Sequence, residues 1–225
     1  MAITATQQTD IIKAVVGVFN ASPGGYMSTL ASAVQDGVTT AQLYDALASN
    51  AAFKSLSFAY SDGATNAQFA SALASNLLGN SVSAANLQVA KDFVVANLNA
   101  NVGKGAIIKA AVDFLSGMSK TDADWGGAAT LFANKVTVAT AYTIDQSGSA
   151  TSVSALLATI ATVDTTQASV DNAIAVNSGA TYSLAAGATS YNEGDTAVFT
   201  LTTTNVVSGT EVAYTISGVS AGDVT

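Results

Sequence analysis

The residues with the most chemical reach in this chain are its carboxylates, and two pairs stand close together: Asp122 with Asp124 beside Trp125, and Glu193 with Asp195 around Gly194. Hard cations take oxygen ligands from carboxylates and turn carbonyls, so Glu193, Asp195 and Asp223 form a candidate calcium site set against the reading of an ordinary polar turn. Asp122 and Asp124 could hold a metal in a loop or flank a sugar platform with the indole as stacking face. The preferred reading is helix-start electrostatics, in which acidic groups sit at the amide end of the helix carrying a core Trp125. A glycan hydrolase needs paired carboxylates across a cleft, and neither pair has an aromatic-lined cleft evident around it.

Three further constellations invite a chemical reading and each has a plainer one. Gly103-Lys104-Gly105 lacks the earlier Gly and following Ser or Thr of a phosphate-binding loop, which leaves a turn between helices. Ser119 next to Lys120 has the elements of a serine nucleophile with a lysine base, but no nucleophile elbow surrounds Gly117-Met118-Ser119, so a loop is expected. Tyr26, Tyr44, Phe58 and Tyr60 could stack on sugar rings, although aromatics inside helical segments more often serve the core or subunit contacts.

What the chain lacks narrows the chemistry. Its 225 residues contain no Arg, His or Cys, and all seven basic residues are Lys. That removes a Ser-His-Asp triad, a thiolate nucleophile, a His or Cys zinc site and an arginine clamp. The reading is of a protein that is not an enzyme. Net charge is -8, and residues 136–225 carry seven acidic groups and no basic one, so nucleic acid is not expected as a partner. Residues 1–10 show no basic region followed by an apolar core, so a Sec signal is not expected and export would use another route. Gly, Asn, Asp and Lys interrupt every apolar run, so no membrane span is expected.

Such side chains must be positioned by a fold in two parts. With 49% hydrophobic residues the chain can bury a substantial core. From Thr6 to about Val176 apolar residues recur at three- and four-residue spacing, as in Ile11, Ile12, Val15, Val16 and Phe19, or Leu87, Ala90, Phe93, Val94 and Leu98. Helices of about 10 to 17 residues fit. Thr4 with Gln7, Thr39 with Gln42 and Thr65 with Gln68 match the capping box. The phrases Gly37–Leu43, Gly63–Phe69 and Asn80–Leu87 repeat a turn, a cap and a helix start, which points to stacked helix-turn-helix units, with a compact all-α domain equally allowed.

After Ala180 the period changes to two, through Thr181–Leu184, Thr196–Thr202 and Glu211–Ser217, with Ala197, Phe199 and Leu201 on one face. The expected fold class is therefore mainly α over 1–176, followed over 177–225 by the start of an all-β Ig-like sandwich. Three strands fall short of the roughly seven such a sandwich needs, and the sequence stops at Thr225 without a polar tail, so a longer protein is expected.

The segment Asp124-Trp-Gly-Gly through Asn134-Lys-Val-Thr-Val-Ala139 to Tyr142 resembles the amino-terminal helical domains of bacterial surface-layer and RTX-type proteins exported by type I secretion. Ser190-Tyr-Asn-Glu-Gly-Asp through Leu201 resembles the opening of Calx-beta-like and related Ig-like repeats. The resemblance implies an extracellular structural protein of a bacterial cell surface that assembles with copies of itself, binds lipopolysaccharide or another surface polysaccharide, and uses calcium. The Gly- and Asp-rich calcium repeats of the group are absent from this span, as is a basic cluster to meet anionic lipid. A large adhesin or matrix filament subunit is the alternative, and a surface hydrolase is the rival from another class.

Overall fold

Helices begin where the local chemistry says they should. At Thr4, Thr39 and Thr65 the hydroxyl accepts the amide of the Gln three residues on, and the Gln side chain accepts the Thr amide in return. Each box satisfies two amides that a helix start leaves without partners. These caps open α1 (Ala5–Phe19), α3 (Thr40–Ser49) and α5 (Asn66–Leu78). Single hydroxyl caps at Ser83, Ser152 and Thr166 open α6 (Ala84–Asn99), α9 (Val153–Ala158) and α10 (Gln167–Asn177). The remaining helices are α2 (Met27–Gln35), α4 (Ala51–Ser55), α7 (Lys104–Gly117) and α8 (Gly126–Thr140), with a π turn at Ala141–Asp145.

The structure, a computed structural model, describes residues 3–179, 181–188, 190–192, 194–204 and 212. The chain divides into two compact units, Met1–Ser178 and Gly179–Thr225. The first is all-α. The described part of the second holds one two-stranded antiparallel sheet.

α1 is the centre of the helical unit, with Ile11, Ile12, Ala14, Val16 and Val18 almost fully buried. It packs on α2, α3, α7 and α8, while α8 also meets α5, α7 and α10. The close fit of α7 on α3 depends on Gly105: a Cβ there would stand 2.6 Å from the Asp45 backbone. Four rings run through one side of the core: Phe19 meets Phe53 and Tyr60 meets Phe69 edge to face at 5.9 and 5.8 Å, and Phe53 and Tyr60 pack tilted at 4.5 Å.

Two expectations for this unit need correction. The three turn-cap-helix phrases do start α3, α5 and α6, but they do not stack in series: α5 and α6 pack together, whereas α3 packs on α1 and α7. A long apolar α1 with buried residues around most of its circumference recruits helices on several sides. The expected 10-residue minimum also fails, since α4 has five residues and α9 six. Asn50 is the reason for α4: its extended backbone ends α3, and its side chain accepts from the Ala52 amide at 2.8 Å to start again.

In the second unit β1 (Thr181–Ala186) pairs antiparallel with β2 (Phe199–Thr204), with Leu184 opposite Leu201 and Ala186 opposite Phe199. β2 begins three residues later than the alternation suggests. The Tyr191 hydroxyl accepts from Ala188 N and donates to Val198 O, and Gly187 N donates to Val198 O, which holds residue 198 in the connecting loop. Tyr182, Leu184, Phe199 and Leu201 share one face and are each 45–65% exposed. The described residues thus form a hairpin and no sandwich, and the third expected strand, Glu211–Ser217, lies outside them apart from Val212.

Candidate functional site

Two concave surfaces are the structure's strongest candidates. The larger is a groove of about 550 Å³ between α5, α6 and α7, closed at one end by Trp125. Its walls are apolar throughout: Leu73 and Leu77 from α5, Val89 and Phe93 from α6, Phe114 and Leu115 from α7. Val89 is 57% exposed, Phe93 46% and Phe114 45%, so α6 and α7 present large side chains to an unfilled space. The Phe114 and Trp125 rings meet edge-on at 5.4 Å.

The smaller cavity, about 290 Å³, lies between the end of α1, the segment that leads into α2, the α3–α4 junction and α9. Its lining is mostly apolar: Val15 and Leu156 are buried, Phe19, Leu30, Leu47 and Val153 half-buried, and Tyr26, Thr29 and Asn50 exposed. Beside it, Ser22–Tyr26 and residues 143–159 interlock. Ser22 shares a 2.7 Å hydroxyl hydrogen bond with Thr159, Gly24 N donates to Thr143 Oγ1, Gly25 N donates to Ala150 O, and Tyr26 OH donates to Thr151 O. Gly24 adopts φ +51°, and a Cβ there would stand 2.4 Å from Leu156.

A partly buried polar chain links α1, α5 and α8. Lys135 Nζ donates to Asn20 Oδ1 at 2.9 Å and to Asn76 O at 3.1 Å, while Asn76 Nδ2 donates to the Tyr60 hydroxyl. Burial pulls the Lys135 ammonium down to about 8 and pushes the Tyr60 hydroxyl up to about 12. Tyr44 is raised as well, by burial first and then by the charges of Asp113 and Asp10.

The residues singled out by sequence fall as follows. Asp122 Oδ1 accepts the amides of Asp124 and Trp125, and Asp124 Oδ1 accepts from Asn86 Nδ2, so the pair organises the turn before α8 as the helix-start reading expects. Trp125 itself stands at the cap of α8, half-buried in the groove and outside the core. Asp195 Oδ2 accepts from Asn192 N and Nδ2, while Glu193 and Asp223 lie outside the described residues. Among the described residues no group of three acidic side chains could hold a metal ion.

Lys104 opens α7, its ammonium 4.9 Å over the Phe69 ring and 3.4 Å from the carbonyl oxygens of Tyr60 and Ser61, which makes Gly103–Gly105 a helix start. Ser119 Oγ bonds Thr121 Oγ1 in the loop after α7. Tyr44 and Tyr60 are core residues at 2% and 3% exposure, whereas Tyr26 and Phe58 are accessible. No described helix is long and apolar enough to cross a membrane.

No family model matches the chain, and neither a curated protein nor a solved structure matches it.

Proposed function

We propose that the chain is a binding and assembly module of a bacterial cell surface and carries out no catalysis of its own. The observation that carries this reading is the open groove of α5, α6 and α7, where Val89, Phe93, Phe114 and Trp125 present apolar surface around about 550 Å³. Removing such surface from water favours association by roughly 25 cal/mol per Å², and many weak copies acting together in a lattice multiply a modest contact. The second unit belongs to the same reading as the start of an Ig-like or Calx-beta-like sandwich whose core face is the Tyr182, Leu184, Phe199 and Leu201 stripe. Extracellular placement by type I secretion and assembly with calcium follow from the resemblance of Asp124–Tyr142 and Ser190–Leu201. An adhesin or matrix filament would use the same surfaces.

Sedimentation velocity of the chain and of the Phe93→Lys and Phe114→Lys variants, with calcium and with chelator, tests the reading. Association by the parent that either substitution abolishes supports it. A parent that stays monomeric at every concentration and in both conditions removes it.

A second reading, attachment to lipopolysaccharide or another surface polysaccharide, follows from the same resemblance, with the exposed Tyr26 and Phe58 rings as the faces on which a sugar would stack. Co-sedimentation with purified lipopolysaccharide, in calcium and in chelator, tests that arm.

A further inference from the structure

We infer that the groove of α5, α6 and α7 pairs with the same groove of a second copy across a two-fold axis, so that the unit of assembly is a closed dimer. The inference rests on the assembly reading of the proposed function and names the partner. Its first support is that the recess and the side chains able to fill it belong to one patch. Val89 and Phe93 on α6 and Phe114 on α7 are 45–57% exposed, and they stand around the space they leave unfilled. A patch of that kind is complementary to itself, as a two-fold interface requires. A head-to-tail contact would need the filling side chains elsewhere on the molecule. Among the described residues of the helical unit the other large exposed apolar side chains are Tyr26, Phe58, Val102 and Val176, each from a different segment.

Charge points the same way. A two-fold axis sets each residue near it against its own copy, so a charged lining would repel itself. No Lys, Asp or Glu lines the groove. Charge begins one residue outside it, with both signs on each helix: Lys91 and Asp92 on α6, and Lys109 bonded to Asp113 on α7. These four sum to zero, so a chain of net charge -8 has here a neutral face that can meet itself. Area sets the strength of the contact. An aromatic side chain carries roughly 150–250 Å², so Phe93 and Phe114, each nearly half exposed, offer about 90 Å² apiece. That is a small part of the roughly 800 Å² per partner of a stable complex. The pair is therefore weak and reversible, and repetition across many copies multiplies it.

The test uses the whole 225-residue chain, which has no Cys, in sedimentation velocity from about 10 μM to about 1 mM, in calcium and in chelator. Mass should rise with concentration and level off at twice the monomer. Phe93→Lys should weaken the association at least tenfold in a chain whose thermal midpoint is unchanged, whereas Phe58→Lys and Leu201→Lys should leave it intact. Ala90→Cys, Ala110→Cys and Ala111→Cys, all on the groove wall, are each oxidised mildly and alone. At least one should link into a covalent dimer, since a two-fold sets a residue against itself, and Val176→Cys should not. Growth beyond the dimer that Phe93→Lys still abolishes overturns the two-fold and leaves the groove as the contact, as does failure of all three wall variants to link. Association that Phe93→Lys retains, or that Leu201→Lys abolishes, overturns the pairing of grooves and leaves assembly standing on another surface. A chain that stays monomeric throughout removes both the dimer and the assembly reading.

Discussion

Lys135 Nζ lies 2.9 Å from Asn20 Oδ1, and Asn20 is the left-handed residue that closes α1. The same ammonium reaches Asn76 O in the last turn of α5. A cation without a carboxylate is held here by the carbonyl ends of two helices, where the macrodipole favours positive charge. Lys135→Met keeps most of the packing of the stem and removes the charge, but it leaves two acceptors without a donor. An expected loss of about 1–3 kcal/mol follows. Lys135→Ala adds a cavity and should lose more, about 2–5 kcal/mol. Urea denaturation of the three proteins orders them.

The same group sets a pH dependence. Burial lowers the folded pKa of Lys135 to about 8, against about 10.4 in an unfolded chain. Between those values the unfolded chain binds more protons, so stability rises with pH across that window, by at most about 3 kcal/mol. Tyr44 and Tyr60 act oppositely, because their folded pKa values are raised, Tyr60 to about 12. Their contribution is present below about 10 and is lost above it as the unfolded tyrosines ionise. Stability should peak near pH 9–10. In Lys135→Met the rise should vanish and the fall above pH 10 remain, which denaturation midpoints between pH 7 and 11 will reveal.

Much of the helical unit was legible because its signals are local. A Thr and a Gln three residues apart ahead of an apolar run carry a complete hydrogen-bonding unit, and the pairs at Thr4, Thr39 and Thr65 all start helices, whereas Thr143 and Gln146 share the spacing at the π turn that ends α8. The groove was not legible, although Ala90, Phe93 and Val94 of its α6 wall were on view in the apolar periodicity. Periodicity says which face of a helix is apolar, and whether a neighbour covers that face is a matter of tertiary packing. The Ser22–Tyr26 clasp was equally hidden, since Ser22 and Gly24 find their partners 137 and 119 residues away. The short length of α4 escaped because Asn50 interrupts a pattern that periodicity alone would continue.

Helix start energetics can be checked at Thr39. Its hydroxyl accepts from Gln42 N at 3.3 Å and its amide donates to Gln42 Oε1 at 2.9 Å, both at the surface. Thr39→Ala removes one half of the box and should cost about 1 kcal/mol. Thr39→Ser keeps the oxygen and should stay within a few tenths of the parent in thermal or urea unfolding.

Gly105 offers a sharper packing test. A Cβ at this position would meet the Asp45 Cα and N at 2.6 Å, and backbone cannot swing aside as a side-chain tip can. Gly105→Ala should therefore destabilise by about 1–3 kcal/mol as α7 is forced off α3, in spite of the better helix propensity of Ala. Gly117 at the end of the same helix has no atom within 4 Å of an added Cβ. Gly117→Ala should be near neutral, and the contrast between the two in urea midpoints isolates the steric cause.

The groove carries its own reporter. Trp125 is the one tryptophan of the chain, it stands half-buried at the groove's end, and its ring lies edge-on to Phe114 at 5.4 Å. Any apolar occupant that fills the space between α6 and α7 displaces water from the indole. If copies associate through this groove, Trp125 emission should move to shorter wavelength and its quenching by acrylamide should fall over the same concentration range in which sedimentation shows mass increasing. Phe93→Lys should hold both signals at their dilute values while leaving the unfolding midpoint little changed, because Phe93 is 46% exposed and contributes little to the core. Association accompanied by an unaltered emission spectrum would move the contact away from α6 and α7, and the exposed Tyr182, Leu184, Phe199 and Leu201 face of the hairpin would then be the surface to substitute.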